Sequence, residues 1–277
     1  MSLRINTNVG ALNAYGNLSA NQASLQSAFE KLSSGLRINK AADDAAGLSI
    51  SQGLTSQING LTQAVRNAQD GTNVAQIADG ALATVQKILQ RQRDLAVQAS
   101  NGGSQDSAAQ AAAQAEIVNL NTQLNNISAT TAFGGTKLLD GSYTAAVGVF
   151  QVGANNTASE QISLALTASD STTLGVAGVN VGTTAGAQTA IGTIDAAIAA
   201  VSASRSQIGA TQNQLGYTIS NLQTTIQNVT ASRSNITDAD LATEVTAMSQ
   251  AQILTSAATS VLAQANSAPQ AILKLLQ

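Results

Sequence analysis

The longest regular pattern in the chain is an apolar stripe that keeps a 3-4 rhythm for more than forty residues. It runs Ile191, Ile194, Ile198, Val201, Arg205, Ile208, Gln212, Leu215, Ile219, Leu222, Ile226, Val229, Arg233, Ile236, with Arg205, Gln212 and Arg233 as its polar interruptions. A spacing averaging 3.5 residues holds these side chains on one narrow seam of a helix, as in a coiled coil. At 1.5 Å per residue that helix is roughly 70 Å long, which a compact domain of this size does not need. A rod of that length is built to lie along other rods. The three polar positions are candidates for selecting one alignment of the seam.

The same reading predicts the rest of the chain. Val9, Leu12, Leu18, Leu25, Phe29 and Leu32 mark a first helix, which stops near Ser33-Ser34-Gly35. Asp43 and Asp44 suit the first turn of a second helix, since carboxylates favour its positive end. Its stripe passes Leu54, Ile58, Leu61, Val65 and Ala68, and the helix spans about 43–100 before the stop Asn101-Gly102-Gly103-Ser104. A third helix over about 104–130 shows Ile117, Leu120, Leu124 and Ile127 on one face. A β-hairpin region follows over about 133–168: strands at 147–152 and 161–167, with turns at Gly134-Gly135, Asp140-Gly141 and Asn155-Asn156. Residues 168–190, rich in Ser, Thr, Gly and Ala, have no period and read as a short loop. The long stripe then occupies about 190–236, and Thr237-x-x-Asp240 reads as a capping signal. The last amphipathic segment runs from Leu241 through Val245 and Met248 to Leu262, and Pro269 is expected to break it. The fold class is therefore mainly α: a long antiparallel, coiled-coil-like helical hairpin bundle carrying a small β-hairpin region. Helices from the two chain ends pair with each other.

Composition sharpens this picture. The 277 residues are 44% hydrophobic but only 2% aromatic and 10% charged, with no Cys, His or Trp and one Pro. Ala-rich apolar content favours long helices that approach closely, and weakly charged polar faces repel their own copies poorly. A merely Ala-rich soluble bundle fits the same numbers. Without His or Cys there is no imidazole base, no thiolate and no ordinary zinc site, which leaves carboxylate-only catalysis or Ca²⁺ binding as the open chemistry, and an enzyme is not expected. No cofactor is implied. The net charge of −3 is divided unevenly: residues 1–42 carry +3 and residues 237–277 carry −2, which favours their lying side by side. The basic end is too dilute for a nucleic-acid surface. No run approaches the roughly 20 apolar residues of a membrane span, and the N-terminus lacks the apolar core of a secretory signal.

Several stretches resemble bacterial flagellin. They are Met1-Ser2-Leu3-Arg4-Ile5-Asn6-Thr7-Asn8, Leu32-Ser33-Ser34-Gly35-Leu36-Arg37-Ile38-Asn39 and Ala41-Ala42-Asp43-Asp44-Ala45-Ala46-Gly47-Leu48 at one end. At the other stand Ala242-Thr243-Glu244-Val245, Met248 to Leu254 and Val261 to Asn266. Phe133 to Gly141 and Phe150 to Asn155 extend the likeness inward, leaving out only about 168–190. The resemblance implies a short form that lacks the variable outer domains: residues 1–42 and 237–277 form a discontinuous terminal inner-tube domain, and 43–236 the core domain, with the 168–190 loop in place of the outer domains. It implies a structural subunit that polymerises into the helical, tubular filament of the flagellum for motility, located outside the cell and exported without a cleaved signal peptide. A coiled-coil adhesin explains the stripes but not the match at both ends; a hook–filament junction protein is expected to agree less in the last 40 residues.

Residues assigned to polymer contacts are Leu12, Leu18, Leu25, Phe29, Leu32, Leu241, Val245, Met248, Leu254 and Leu262, with ordinary intramolecular packing as the other reading. Terminal helices with such narrow stripes should be poorly ordered in the free monomer. By likeness to the segment of flagellins recognised by Toll-like receptor 5, Gln90, Arg91, Arg93, Leu95 and Glu116 are candidate contacts with that receptor. Leu273, Leu275 and Leu276 resemble the terminal leucines read by cytosolic inflammasome sensors; closing the inner tube is their other reading. Implied partners are further copies of the chain, the flagellar export apparatus and flagellin chaperone, and the filament cap and hook–filament junction proteins, with no nucleic acid and no membrane insertion. Ser and Thr in 168–190 are either O-glycan acceptors or part of a bare polar loop.

Overall fold

A computed structural model describes the backbone of residues 7–275 and the side chains of residues 7–267. Five helices dominate: α1 (Val9–Ser34), α2 (Ala45–Ala99), α3 (Ser107–Thr130), α4 (Thr184–Thr237) and α5 (Leu241–Leu275). Between α3 and α4 lie β1 (Ala132–Phe133), β2 (Thr136–Lys137), β3 (Val149–Gln151), a single 3₁₀ turn (Ala158–Glu160) and β4 (Gln161–Ser163). The mainly helical class and the helix positions agree with the periodicity. The chain divides into two compact units, one of residues 1–56 with 228–277 and the other of residues 57–227. The divisions fall inside α2 and α4, because each helix continues unbroken past them.

Local chemistry sets most helix ends. Asn8 caps α1 by accepting a hydrogen bond from the Ala11 amide at 3.0 Å, and Gly35 closes the helix in the left-handed region at φ 70°. Asp106 caps α3 through the Ala109 amide at 2.7 Å. The capping signal after α4 works differently from the expected Thr237-x-x-Asp240 box. Asp240 itself accepts from the Ala242 amide at 2.9 Å, while the Thr237 hydroxyl donates back to the Arg233 carbonyl. Pro269 does not break α5, which continues to Leu275; a proline deletes one backbone donor, and the remaining ladder carries the helix through.

In the 57–227 unit, α2 and α4 run antiparallel. Leu61 and Ala64 pack with Leu222, Ala68 packs with Leu215, and Asp79 meets Arg205 further along. Leu82 and Leu89 of α2, Ile117 and Leu124 of α3, and Ile194 and Ile208 of α4 are buried in one cluster with Leu138, Leu139 and Leu164. Aliphatic side chains supply almost all of this interior, as the scarcity of aromatics requires.

The two small sheets are both antiparallel hairpins. β1 and β2 are joined by Gly134 and Gly135, at φ 57° and 87°, the double positive φ that a tight two-residue hairpin turn demands. In the second, Phe150 pairs with Ile162 and Val149 with Ser163. Strand pairing stops at Ser163 rather than Thr167, yet Ile162, Leu164 and Leu166 alternate inward as the pattern predicts. Phe150 lies over α2 at Gly71, where an added Cβ would sit 3.1 Å from the ring.

The 168–190 segment differs from the expected loop. α4 begins at Thr184, and Ser169, Ser171, Val176, Val179 and Val181 are buried. One face of α3 holds this stretch by its backbone. Asn125 accepts from the Ser171 amide at 2.9 Å, and Asn121 donates to the Val176 carbonyl at 3.1 Å. Gln114 both donates to the Val179 carbonyl and accepts from the Val181 amide. Side-chain amides here do what a neighbouring strand does in a sheet. Ser169 and Ser171 are thereby removed as glycan acceptors, whereas Thr172 and Thr173 remain exposed.

Candidate assembly interface

The unit of residues 1–56 and 228–277 is built on the packing of α1 against α5. Its ends are pinned by polar chemistry. Besides capping its own helix, Asn8 donates from Nδ2 to the Ala265 carbonyl at 2.8 Å, tying the start of α1 to α5. At the other end Lys31 approaches Glu244 at 3.7 Å, the expected attraction between oppositely charged chain ends. The connection from α1 to α2 is stitched to the one from α4 to α5. The Arg37 amide donates to the Thr237 carbonyl at 2.7 Å, the Ala239 amide to the Gly35 carbonyl at 2.9 Å, and the Arg37 guanidinium to the Ile236 carbonyl at 2.6 Å. Asp43 accepts from the Asn39 and Lys40 amides, and these bonds hold its carboxyl below its ordinary pKa. Hydroxyl donors Ser234 and Thr237 do the same for Asp238. Gly47 allows close approach, since a Cβ there would lie 2.7 Å from the end of the Ile38 side chain, which would have to shift.

The apolar side chains of this unit face the wrong way for a self-sufficient domain. Its buried hydrophobics are Ala14, Leu18, Ala28, Ile38 and Ala251, mostly small. Its larger ones point outward: Val9, Leu12, Tyr15 and Phe29 on α1, and Leu241, Val245, Ile253, Leu254 and Val261 on α5, with Ile253 69% exposed. No charged residue occurs between Arg4 and Glu30 or between Glu244 and Lys274. Covering the charge-free stretches of these helices with another apolar face therefore desolvates no charge, the main penalty of burying a polar surface, whereas Phe29, Leu241 and Val245 lie beside Glu30, Asp240 and Glu244. A groove of about 360 Å³ between the two helices, lined by Ala14, Asn17, Ala20 and Asn21 of α1 and by Leu254, Ala257 and Val261 of α5, adds concave relief.

Against this geometry the ten expected polymer contacts separate into groups. Leu12, Phe29, Leu241, Val245 and Leu254 are exposed, and Leu25, Leu32, Met248 and Leu262 are half-buried. Leu18, at 9% exposure, packs within the unit, the other reading given for these positions. Tyr15, Ile253 and Val261 are further exposed apolar residues, outside the ten expected contacts. Their signal in the sequence is the lack of any charge around them.

The receptor-like cluster on α2 is also divided. Arg91 forms a two-pronged pair with Glu116 of α3, Nε to Oε1 at 2.8 Å and Nη2 to Oε2 at 3.2 Å, and both stay on the surface near exposed Gln90. This pairing raises the Arg91 pKa and lowers that of Glu116. Arg93 turns instead to Asp195 on α4, at 2.6 Å. Leu95 corrects the expectation of a surface contact: it is 3% exposed, because helical spacing from Leu89 and Gln92 points it into the core. The side chains of Leu273, Leu275 and Leu276 lie outside the described residues. Among the described residues no cluster of three or more metal-ligating side chains occurs, and no helix is long and apolar enough to cross a membrane.

Residues 5–144 match the bacterial flagellin N-terminal helical region and residues 191–276 match the bacterial flagellin C-terminal helical region. Flagellin of Halalkalibacterium halodurans is 46% identical over 275 residues, covering 99% of both chains. Flagellin of Bacillus subtilis is 41% identical over 306 aligned residues, covering 99% of this chain and 100% of that one. Flagellin B of Vibrio cholerae is 47% identical over 175 residues; the match covers 63% of this chain and 46% of that protein, so the chain spans about half the length of such relatives. With both terminal regions matched in order and full-length relatives aligned end to end, the chain belongs to the bacterial flagellin family.

Proposed function

We propose that this chain is the repeating subunit of a flagellar filament, polymerising outside the cell into a helical tube that serves motility. The observation that carries the reading is the outward-facing apolar surface of α1 and α5, uncharged along most of both helices and backed by a thin interior. Such a surface gains free energy only against further copies or a comparable apolar partner. A contact of unlike patches between copies propagates without closing, which is what a filament requires. On this reading residues 1–42 and 237–277 form the inner layer, residues 43–236 surround it, and the role is structural rather than enzymatic. Export with a chaperone, and growth beneath a cap from the hook–filament junction, are proposed together with this role.

Purified chain seeded with filament fragments should elongate into tubes visible by electron microscopy. Folded protein that fails to elongate on seeds would defeat the proposal.

A second reading rests on the Arg91–Glu116 pair. Arg91, Glu116 and neighbouring Gln90 form an exposed two-helix surface suited to Toll-like receptor 5, with Arg93 at its border and Leu95 supporting it from within. Binding of the receptor ectodomain to monomer should weaken at least tenfold in Arg91→Ala, since arginine anchors of this kind carry about 2 kcal/mol or more. Equal affinity for the variant and the parent removes the assignment. Leu273, Leu275 and Leu276 are proposed for inflammasome sensing, tested by alanine replacement in a cell-based activation assay.

A further inference from the structure

The long seam between α2 and α4 contains an ambiguity that its apolar residues cannot resolve. In the observed alignment Leu222 lies with Leu61 and Ala64, and Leu215 with Ala68. Slide α4 by one heptad, about 10 Å along the axis, and Leu222 meets Ala68, Leu215 meets Ala75, Ile208 meets Leu82, and Val201 meets Leu89. Every one of these residues is already a buried apolar side chain. Apolar matching alone therefore rewards both alignments.

Arg205 separates them. Its Nε donates to Asp79 Oδ1 at 2.8 Å, its Nη2 to Oδ2 at 3.4 Å, and its Nη1 to Gln86 Oε1 at 2.8 Å. The guanidinium fork is thus filled from one helix, with both charged side chains about two-thirds covered. In one slipped alignment Arg205 stands opposite Val85 and Asp79 opposite Thr211 or Gln212; in the other, Arg205 faces Thr72 and Asp79 faces Ile198. Each slip parts the two charges by seven residues and leaves them in a half-buried apolar seam, where an unpaired charge is costly. The second ion pair between these helices, Arg93 with Asp195, is more exposed and holds less firmly. Among the described residues neither Gln212 nor Arg233 makes a side-chain bond across the seam.

We infer that Arg205 is a register-determining residue, and that its fork on Asp79 and Gln86 selects one of several apolar-equivalent alignments of α4 on α2. Identical copies need one register, but the inference concerns the single chain and stands apart from the filament reading.

The parent chain has no cysteine, so spin labels on Gln76→Cys and Asn221→Cys report the alignment without interference. Both positions are exposed, and in the observed register they sit about 20 Å apart along the axis. Pulsed electron spin resonance on the unassembled, labelled chain should give one distance population. Adding Arg205→Leu, which removes the guanidinium fork from the seam, should add a second population displaced by about 10 Å. The exchanged pair Arg205→Asp with Asp79→Arg should restore a single population. A single unshifted population in Arg205→Leu, with helical circular dichroism retained, overturns the inference. Should that variant lose its helical signal, Asp79→Asn decides the matter: a second population supports the lock, and a single one refutes it.

Discussion

Replacing Ile253 with alanine should weaken assembly while leaving the free chain as stable as before. Full burial of an isoleucine side chain is worth about 1.5–3 kcal/mol. Ile253 is 69% exposed, so its own unit has claimed only the smaller part of that gain. About 1–2 kcal/mol remains available to a neighbouring copy, and alanine forfeits most of it. At about 1.4 kcal/mol per tenfold, the critical concentration for seeded elongation should rise roughly five- to thirtyfold. The assay is sedimentation of polymer across a dilution series, paired with thermal melting of the monomer. Leu18→Ala is the contrasting control. At 9% exposure that side chain is already buried, so its loss should lower monomer stability by about 2–4 kcal/mol. The reasoning is refuted if Ile253→Ala polymerises at the parental concentration, or if it melts as early as Leu18→Ala.

Ile117→Ala, at the fully buried centre of the 57–227 unit, should cost about 2–5 kcal/mol in denaturant unfolding, whereas Val118→Ala beside it, 53% exposed, should stay within about 0.5 kcal/mol. Asn8→Ala removes both the α1 cap and the bond to Ala265, and should lower stability by about 1–2 kcal/mol with faster amide exchange at the start of α1. Acid should loosen the stitched connections between helices. Asp43 and Asp238 have pKa values lowered from 3.8, so the stability they contribute is present above that value and is lost as pH falls through their folded pKa values. Asp43→Asn should flatten that acid dependence in thermal melts; an unchanged pH profile refutes the assignment.

Long-range periodicity made the helices legible. α1 and α3 end where Gly35 and the residues after Thr130 halt the pattern, and α2 stops at the Asn101–Ser104 turn. The alternation of Ile162, Leu164 and Leu166 was readable too, although the ladder ends sooner than the alternation. What could not be read was the choice of partner for each stripe. Leu18 and Leu12 belong to the same amphipathic pattern, yet one is inside and the other outside. That outcome depends on the rotation of α1 against α5. Leu95 was a candidate contact through the likeness of its segment to receptor-recognised flagellins, and helical phase placed it inward. The 168–190 stretch carries no period because its backbone bonds are made by α3 amides over forty residues away in sequence. No local pattern encodes such pairing.

By itself the sequence determined the elements, their order, the nested pairing of the two chain ends and the family. The elements follow from spacing, caps and turn residues, which act over a few positions; the pairing of the ends was read from their opposite charge and nested order, and the family from the resemblance of both terminal stretches. Tertiary structure decided which apolar residues are used up within the chain and which remain for a neighbour. It also decided which polar residue in the long seam meets a charge. Both depend on the azimuth and register of one helix on another, and a repeating apolar stripe leaves these degenerate until a specific contact such as Arg205 on Asp79 separates them.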